Sequence, residues 1–410
     1  MPAFPRLQGL KLQKQSEIDR YYMARALKLA SRGLYTTYPN PAVGCIFVRQ
    51  GRIIGEGWHH KAGQPHAEIM AINNAGCDVK GATAYVTLEP CSHFGRTPPC
   101  ALRLVQEQVA RVVVAAGDPN PKVSGRGIEI LRKAGIAVTE HVLEKEAWFL
   151  NRAFMKSIVV NTPFVTLKVA MGIDCGIALE DGQSKWITDE RSRRDVQKLR
   201  AQCDAVITSL ATVIADNPRY SVRYDELPGS ASMKVGRHEL RQPLKVILDS
   251  GNLLLSSFAS KVEELNIFSQ GKTLLCCGSS SDRMSWKNIN EHTEAVFFPK
   301  DTLDKEGHLK LKHVLEYLGE RQIRHVLVEA GPRLADAFLK YGLVDELLIY
   351  EAPKFLGKNS RRLFALDSPK ILDDAMSMEL YKVKRLDHDL KIHLISHDLA
   401  SKLKAFEEHK

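Results

Sequence analysis

The chain has 410 residues, 44% hydrophobic and 26% charged, with Lys+Arg 58 against Asp+Glu 48 and a formal net charge of +10. That is globular composition. It excludes a disordered chain, because there is apolar surface enough to offset the entropy of ordering, and with Gly 27 and Pro 18 it excludes collagen-like or low-complexity sequence. The length points to two or three domains. No apolar run reaches the roughly 18 residues of a membrane helix, and the N-terminus has no signal-peptide core, so neither membrane insertion nor export is expected. Eight cysteines are too few for a disulfide scaffold, so a clustered pair points to metal binding or catalysis. The basic residues are dispersed rather than in blocks, which argues against a nucleic-acid tail and suits an anionic small ligand or simple solubility.

Residues 1–15 form a polar lead-in, expected to be flexible. A helix is expected from Ser16, with Tyr22, Ala26, Leu29 and Ala30 on one face. After the Gly33–Pro41 loop, Val43–Val48 and Arg52–Gly57 read as a hairpin around Gln50-Gly51. A helix over 66–75, a strand over 82–88, a helix over 99–108, a strand over 111–116, a helix over 128–134 and a strand over 137–139 follow. This alternation predicts an α/β sandwich. One helix is expected over 144–154, and Asn161-Thr162-Pro163 breaks the chain before a second α/β half. That half has strands at 164–170, 205–208, 244–248, 273–277, 295–298 and 325–328, with helices at 189–200 and 311–321 among those between them. Residues 226–241 read as a surface loop or insertion, and Cys276-Cys277 as core strand. The domains are expected at 16–155 and 163–396, with a tail over 397–410.

The first chemical signal is His66-Ala67-Glu68 at a helix start, followed by Pro90-Cys91 and then Cys100. Zinc hydrolases use three protein ligands and an open position for water. One His and two Cys fit that set, and a Glu two residues after the His suits proton transfer rather than ligation. Cys91 and Cys100 have eight intervening residues, more than the generic C-x-x-C spacing.

With these residues in view, the chain resembles the bifunctional riboflavin-biosynthesis deaminase/reductase family. The resemblance rests on Thr37–Gly44, Gly55–His60, Pro65–Glu68, Thr87–Cys100 and Asp118–Pro121 in the first half. In the second half it rests on Leu167–Met171 with Asp174, Gly182–Thr188, Arg193–Asp195 with Leu199-Arg200, Thr208 with Ala211–Val213, Asp216–Pro218 and Val328–Leu334. The family has the long Cys–Cys spacing. It implies an α/β fold with a cytidine-deaminase-like three-layer αβα domain, then a dihydrofolate-reductase-like α/β domain. His66, Cys91 and Cys100 become zinc ligands and Glu68 the catalytic proton carrier. Asn40, His59 and His93 are candidates for substrate contact, with an Asx-turn or plain loop polarity as the alternatives.

The second half has no Gly-x-Gly-x-x-Gly after a strand, so a standard dinucleotide fold is not indicated. By the resemblance, NADPH lies along Gly331–Ala337, including Gly331, Pro332, Arg333 and Leu334, with Ala170, Trp186, Thr212, Asp216 and Ser250. Glu329 would hydrogen-bond substrate. Arg200 and Arg223, with Ser184 and Tyr220, would hold its ribose 5-phosphate, since an arginine fork suits phosphate oxygens. Lys168 is either an electrostatic or proton partner or a strand-end lysine. Gly172–Gly176 departs from the family's Ser-Leu-Asp-Gly-Lys/Arg: Cys175 stands in place of a glycine and a basic residue is missing. A local loop change is expected there, with weakened reduction the alternative.

The expected function is thus hydrolytic removal of the 2-amino group of 2,5-diamino-6-ribosylamino-4(3H)-pyrimidinone 5′-phosphate. NADPH reduction of the ribosyl side chain follows, giving 5-amino-6-(5-phosphoribitylamino)uracil. The resemblance implies a cytoplasmic homo-oligomer, a homodimer or larger, joined through the reductase domains, with no nucleic acid or membrane partner. The alternative is a nucleoside or tRNA zinc deaminase with a non-reducing accessory domain. It calls for a basic, stacking-rich surface, whereas Trp number 4. A catalytically dead descendant would lack Glu68 or a ligand, and all four are present.

Overall fold

In the computed structural model the described residues are 14–92, 98–120, 123–257, 264–364, 366 and 368–408. The chain divides into two compact units, residues 1–160 with 406–410, and residues 161–405.

The first unit runs α1 (Gln15–Gly33), β1 (Gly44–Arg49), β2 (Arg52–Trp58), α2 (Ala67–Asn73), β3 (Thr83–Leu88), α3 (Cys100–Gln106), β4 (Arg111–Ala116), α4 (Arg126–Lys133), β5 (Ala137–Thr139), α5 (Glu144–Leu150) and α6 (Arg152–Val160). Its strands form one sheet in the order β2-β1-β3-β4-β5. β1 pairs antiparallel with β2 and β3, and β3-β4-β5 are parallel. Side chains alternate across the strands. Cys45, Phe47, Ala84, Val86, Val112 and Val114 therefore meet α2, α3 and α4 on one face, through Ala67, Ala71, Ala101, Leu104 and Leu131. α1 covers the other face. There Asp19, buried, accepts hydrogen bonds from Arg111 at 2.9 and 2.7 Å and from the Tyr85 hydroxyl at 2.9 Å. Asp19→Ala would leave Arg111 without that carboxylate. Breaking a buried pair in this way costs about 3–5 kcal/mol, so chemical denaturation should show a loss of that size in the first unit.

The expected helix over 144–154 is two helices instead. Asn151 turns its side chain onto Ala42, accepting from the backbone N–H at 2.8 Å and donating to the carbonyl at 2.9 Å, and α5 ends there.

The second unit runs β6 (Phe164–Gly172), β7 (Gly176–Ala178), α7 (Glu190–Gln202), β8 (Ala205–Ser209), α8 (Leu210–Asp216), α9 (Gly229–Ser232), β9 (Leu244–Asp249), α10 (Leu253–Ser257), β10 (Thr273–Gly278), β11 (Ser285–Asn288), β12 (Thr293–Phe298), α11 (Leu311–Glu320), β13 (His325–Val328), α12 (Pro332–Lys340), β14 (Glu346–Ala352), β15 (Arg361–Arg362), β16 (Glu379–Leu386), β17 (Asp389–Ile395) and α13 (His397–Glu408). Ten strands join in the order β11-β12-β10-β9-β8-β13-β6-β14-β17-β16. The run from β12 to β14 is parallel, and antiparallel strands close both edges. Strand β13 lies between β6 and β8, so the carboxyl ends of β6, β13, β8 and β9 are neighbours. This is where parallel α/β sheets place ligands. Residues 226–241 hold the one-turn α9 after a 3-10 turn that ends at Glu226, and Ala231 and Val235 are buried. Cys276 and Cys277 are buried in β10, as expected of a core strand.

Cys175 has φ +63°, so the turn between β6 and β7 keeps the left-handed conformation without a glycine, where a change of loop was expected. Such a conformation costs a residue with a Cβ about 1–2 kcal/mol, and glycine's extra freedom in the unfolded chain offsets part of that. Cys175→Gly is therefore expected to stabilise the second unit by up to about 1 kcal/mol in a denaturant titration.

Candidate active sites

In the first unit, three chain segments converge. α2 lies directly on β2: a Cβ at Gly57 would sit 2.5 Å from the Ala71 nitrogen, and one at Gly55 would sit 2.4 Å from the Ala71 oxygen. Only glycines permit that approach, and it fixes α2 against β2. His66 precedes this helix in extended conformation, and Glu68 lies in its first turn, buried. β3 runs through Glu89-Pro90 to Cys91, and Cys100 opens α3. His66 Nδ1 is 3.5 Å from Cys91 Sγ and 3.3 Å from Cys100 Sγ, and all three ligand atoms lie within 4.8 Å of one another. Zinc bonds of about 2.1 Å to nitrogen and 2.3 Å to sulfur give a tetrahedral edge of about 3.6 Å. One His and two Cys at these separations fit a zinc ion with one open position.

The electrostatics agree. Hydrogen bonds from the Cys100 thiol, from His66 and from the Cys100 backbone N–H bring the Cys91 thiol down to about 4, against the opposing effect of its burial. The Cys100 thiol is pushed up by its hydrogen bond to Cys91 and by burial. Burial pushes the Glu68 carboxyl up to about 7, in the range where a group both takes and gives a proton at neutral pH.

Asn40 and His59 are brought together beside this centre. His59 Nδ1 is 3.1 Å from the Pro65 carbonyl, which can only accept, so Nδ1 carries the proton. Nε2 then accepts from Asn40 Nδ2 at 3.1 Å. Burial lowers the His59 pKa. The ring packs edge-on to His66 with centroids 5.4 Å apart. His93 lies outside the described residues.

In the second unit, Glu329 follows β13 and is buried. Arg200 on α7 forks onto it, Nε to Oε1 at 2.6 Å and Nη2 to Oε2 at 2.9 Å. Lys168 of β6 reaches Oε2 at 3.5 Å. Burial pushes the Glu329 carboxyl up, but the Arg200 and Lys168 charges outweigh it and hold it below the usual carboxylate range. Burial lowers the Lys168 pKa. The Tyr220 hydroxyl donates to the Glu329 carbonyl at 3.0 Å and sits 3.3 Å from Thr208 Oγ1; the Arg200 guanidinium stands over the Tyr220 ring at 5.3 Å. Arg200 thus meets a carboxylate where sequence reasoning gave it a phosphate. Arg223 pairs with Glu226, Nη2 to Oε2 at 2.7 Å.

A second group lies at the next strand end. The Gly331 N–H donates to Thr212 Oγ1 at 3.1 Å, and Thr212 Oγ1 is 3.0 Å from Ser209 Oγ. Gly331 caps α12, with Pro332 first in the helix. Among the described residues a Cβ there would meet only Thr212 Oγ1, at 3.6 Å, which suits the helix start to a phosphate. Ala170 lies in β6, Ser250 directly after β9 and Asp216 at the end of α8. Leu334 is half-buried and Arg333 exposed on α12. The Trp186 ring is 64% exposed under the Arg193 guanidinium, 4.6 Å from its centroid. Ser184 is half-buried two residues earlier. Sequence reasoning missed Ser209, whose place beside Thr212 depends on α8, and Glu89, quoted within Thr87–Cys100 without a role.

A His and two Cys set for zinc beside a buried glutamate define the first unit as a zinc-dependent hydrolase of the deaminase class, and the second unit is an α/β sheet with a helix start at its strand ends. The comparisons with known proteins agree. Residues 16–116 match the cytidine and deoxycytidylate deaminase zinc-binding region, and residues 163–392 match the RibD C-terminal domain. The chain is 44% identical to riboflavin biosynthesis protein RibD of Escherichia coli over 92% of its length and 99% of that protein, and 44% identical to RibD of Haemophilus influenzae over 92% and 97%. Acinetobacter baumannii RibD superposes with a TM-score of 0.80 at 40% identity, covering 93% of this chain and 99% of the other. A diaminohydroxyphosphoribosylaminopyrimidine deaminase/5-amino-6-(5-phosphoribosylamino)uracil reductase from Thermotoga maritima superposes at 0.79 and 33% identity, covering 93% and 100%. The chain belongs to the RibD family of bifunctional riboflavin-biosynthesis enzymes. It is a deaminase and a reductase, with zinc and NADPH as cofactors. No described helix is long and apolar enough to cross a membrane.

Proposed function

We propose that the first unit, residues 16–155, deaminates 2,5-diamino-6-ribosylamino-4(3H)-pyrimidinone 5′-phosphate, and that the second, residues 163–396, reduces the ribosyl side chain. The observation that carries this reading is the triangle of His66, Cys91 and Cys100 with Glu68 buried beside it.

His66, Cys91 and Cys100 would hold the metal, which when bound would supply an activated water at neutral pH. Glu68 takes the water's proton on its carboxyl and returns it to the departing amine. His59, with its Nδ1–H donated to the Pro65 carbonyl, accepts the Asn40 amide N–H at Nε2 and so fixes the orientation of the Asn40 amide, whose carbonyl oxygen is left to accept from substrate donors.

NADPH, when bound in the second unit, would supply the hydride for reduction of the ribosyl side chain. Gly331 to Leu334 at the α12 start, Thr212, Asp216, Ala170, Trp186 and Ser250 would seat it. Glu329, fixed by Arg200 and Lys168, binds the substrate's polyol, and Lys168 is the proton source nearest that carboxylate. Ser184, Tyr220 and Arg223 surround the phosphate, with Arg223 exchanging Glu226 for it. Arg200 acts through its fork on Glu329 while its charge faces the same anion.

We also infer a cytoplasmic homo-oligomer joined through the reductase units. β16 supports it: Leu380 and Val383 are exposed on this edge strand, which is a template for pairing with a second copy, with Lys382, Lys384 and Arg385 interleaved between them. The test of the catalytic reading is ammonia release and NADPH oxidation on one sample of zinc-replete protein. Ammonia should appear without NADPH, and NADPH should be consumed only after deamination. NADPH consumption with a substrate that still carries its 2-amino group, or ammonia release that needs NADPH, would contradict the proposed order.

A further inference from the structure

Glu89 has no part in the chemistry above, yet it is buried two residues before the ligand Cys91. Its own N–H donates to the Ala116 carbonyl at 2.9 Å. Its carboxyl accepts three backbone N–H groups from another segment: Gly127 on Oε1 at 2.9 Å, and Gly125 at 3.0 Å and Asp118 at 3.4 Å on Oε2. Gly125 and Gly127 begin α4. The α4 start has no cap from its own N-cap side chain, because Gly125 occupies that place with φ +76°. A carboxyl at a helix start satisfies N–H groups the helix cannot and meets the positive end of its dipole.

A second observation points the same way. A Cβ on Gly127 would lie 2.0 Å from the Pro90 carbonyl oxygen and 3.2 Å from Glu89 Oε1, so α4 begins in direct contact with the peptide that leads into Cys91. The body of α4 then packs on α3, Leu131 lying in one cluster with Ala101 and Leu104. α3 opens with Cys100. Between the two cysteines lie eight residues of chain. The path Glu89–α4–α3 joins them by a route of packed, hydrogen-bonded structure.

We propose that Glu89 is a positioning residue for the metal: by capping α4 from the end of β3 it fixes Cys91 relative to Cys100 and so governs how firmly zinc is held. This rests on the reading of His66, Cys91 and Cys100 as the ligands. Groups one step behind metal ligands typically change affinity or activity by about 10–100-fold. Glu89→Gln keeps the shape but halves the acceptor oxygens, and it should transfer zinc to a chromogenic chelator at least about tenfold faster. Deaminase kcat should fall while KM moves little, and the reductase of the same chain should keep its rate on deaminated substrate. Gly125→Ala strains only the backbone that presents one of the N–H groups; it should show the same pattern more weakly, and it decides the matter if Glu89→Gln does not fold. Zinc release at the wild-type rate with wild-type kcat in the folded variants would overturn the proposal. Wild-type protein that binds no zinc would instead overturn the ligand assignment, so the two failures are distinct.

Discussion

Glu68→Gln is expected to lower deaminase turnover by about 10²–10⁴-fold, the usual contribution of a positioned acid–base group. The amide cannot take the proton from the attacking water or return it to the leaving amine. Glu68 is not one of the three converging ligand atoms, so zinc content should remain at the wild-type level. The reductase rate on deaminated substrate should also be unchanged, because the two centres lie in separate compact units. Ammonia release, zinc content and NADPH oxidation on one preparation check all three. A variant that kept normal ammonia release would remove Glu68 from its proposed role.

The second large effect is expected at Glu329. Its carboxylate lies between the Arg200 guanidinium and the Lys168 ammonium, all three mostly buried. Glu329→Ala strands both cations, and uncompensated buried charge costs about 3–5 kcal/mol. The reductase unit should lose stability on that scale, and NADPH oxidation should fall to background. Glu329→Gln separates the two causes. It fills the same space and keeps one acceptor oxygen, so it should recover part of the stability while reduction remains impaired. Deamination should proceed in both variants. Full reduction by Glu329→Gln would mean that the carboxylate is structural only.

The two sites differ in how far they could be read from the sequence. The zinc centre was legible because a metal dictates residue type: His66, Cys91 and Cys100 must be N and S donors whatever the fold, and each stands at or beside the start of a helix or the end of a strand. The partner of Arg200 was not. Glu329 is 129 positions away and reaches it only because β13 inserts between β6 and β8. A sheet order of that kind leaves no mark on local periodicity. The break after α5 has the same origin, since Asn151 ends the helix by bonding Ala42, 109 positions away. Strands β14, β16 and β17 were not anticipated at all. β16 is exposed along most of its length, so it shows no alternation of buried and exposed side chains to announce it. Glu89 stood in view in the motif before Cys91, but its partners are backbone N–H groups, which no side-chain pattern encodes.

The central claim is that one chain carries out deamination and then reduction, with NADPH needed only for the second. It is tested most directly by mass spectrometry of the products formed from the diaminopyrimidine ribosyl phosphate by purified, zinc-replete protein, with and without NADPH. The account predicts the deaminated ribosyl compound alone when NADPH is absent, and the deaminated ribityl compound when it is present. A reduced product that still carries the 2-amino group, or no reaction at all, would contradict it.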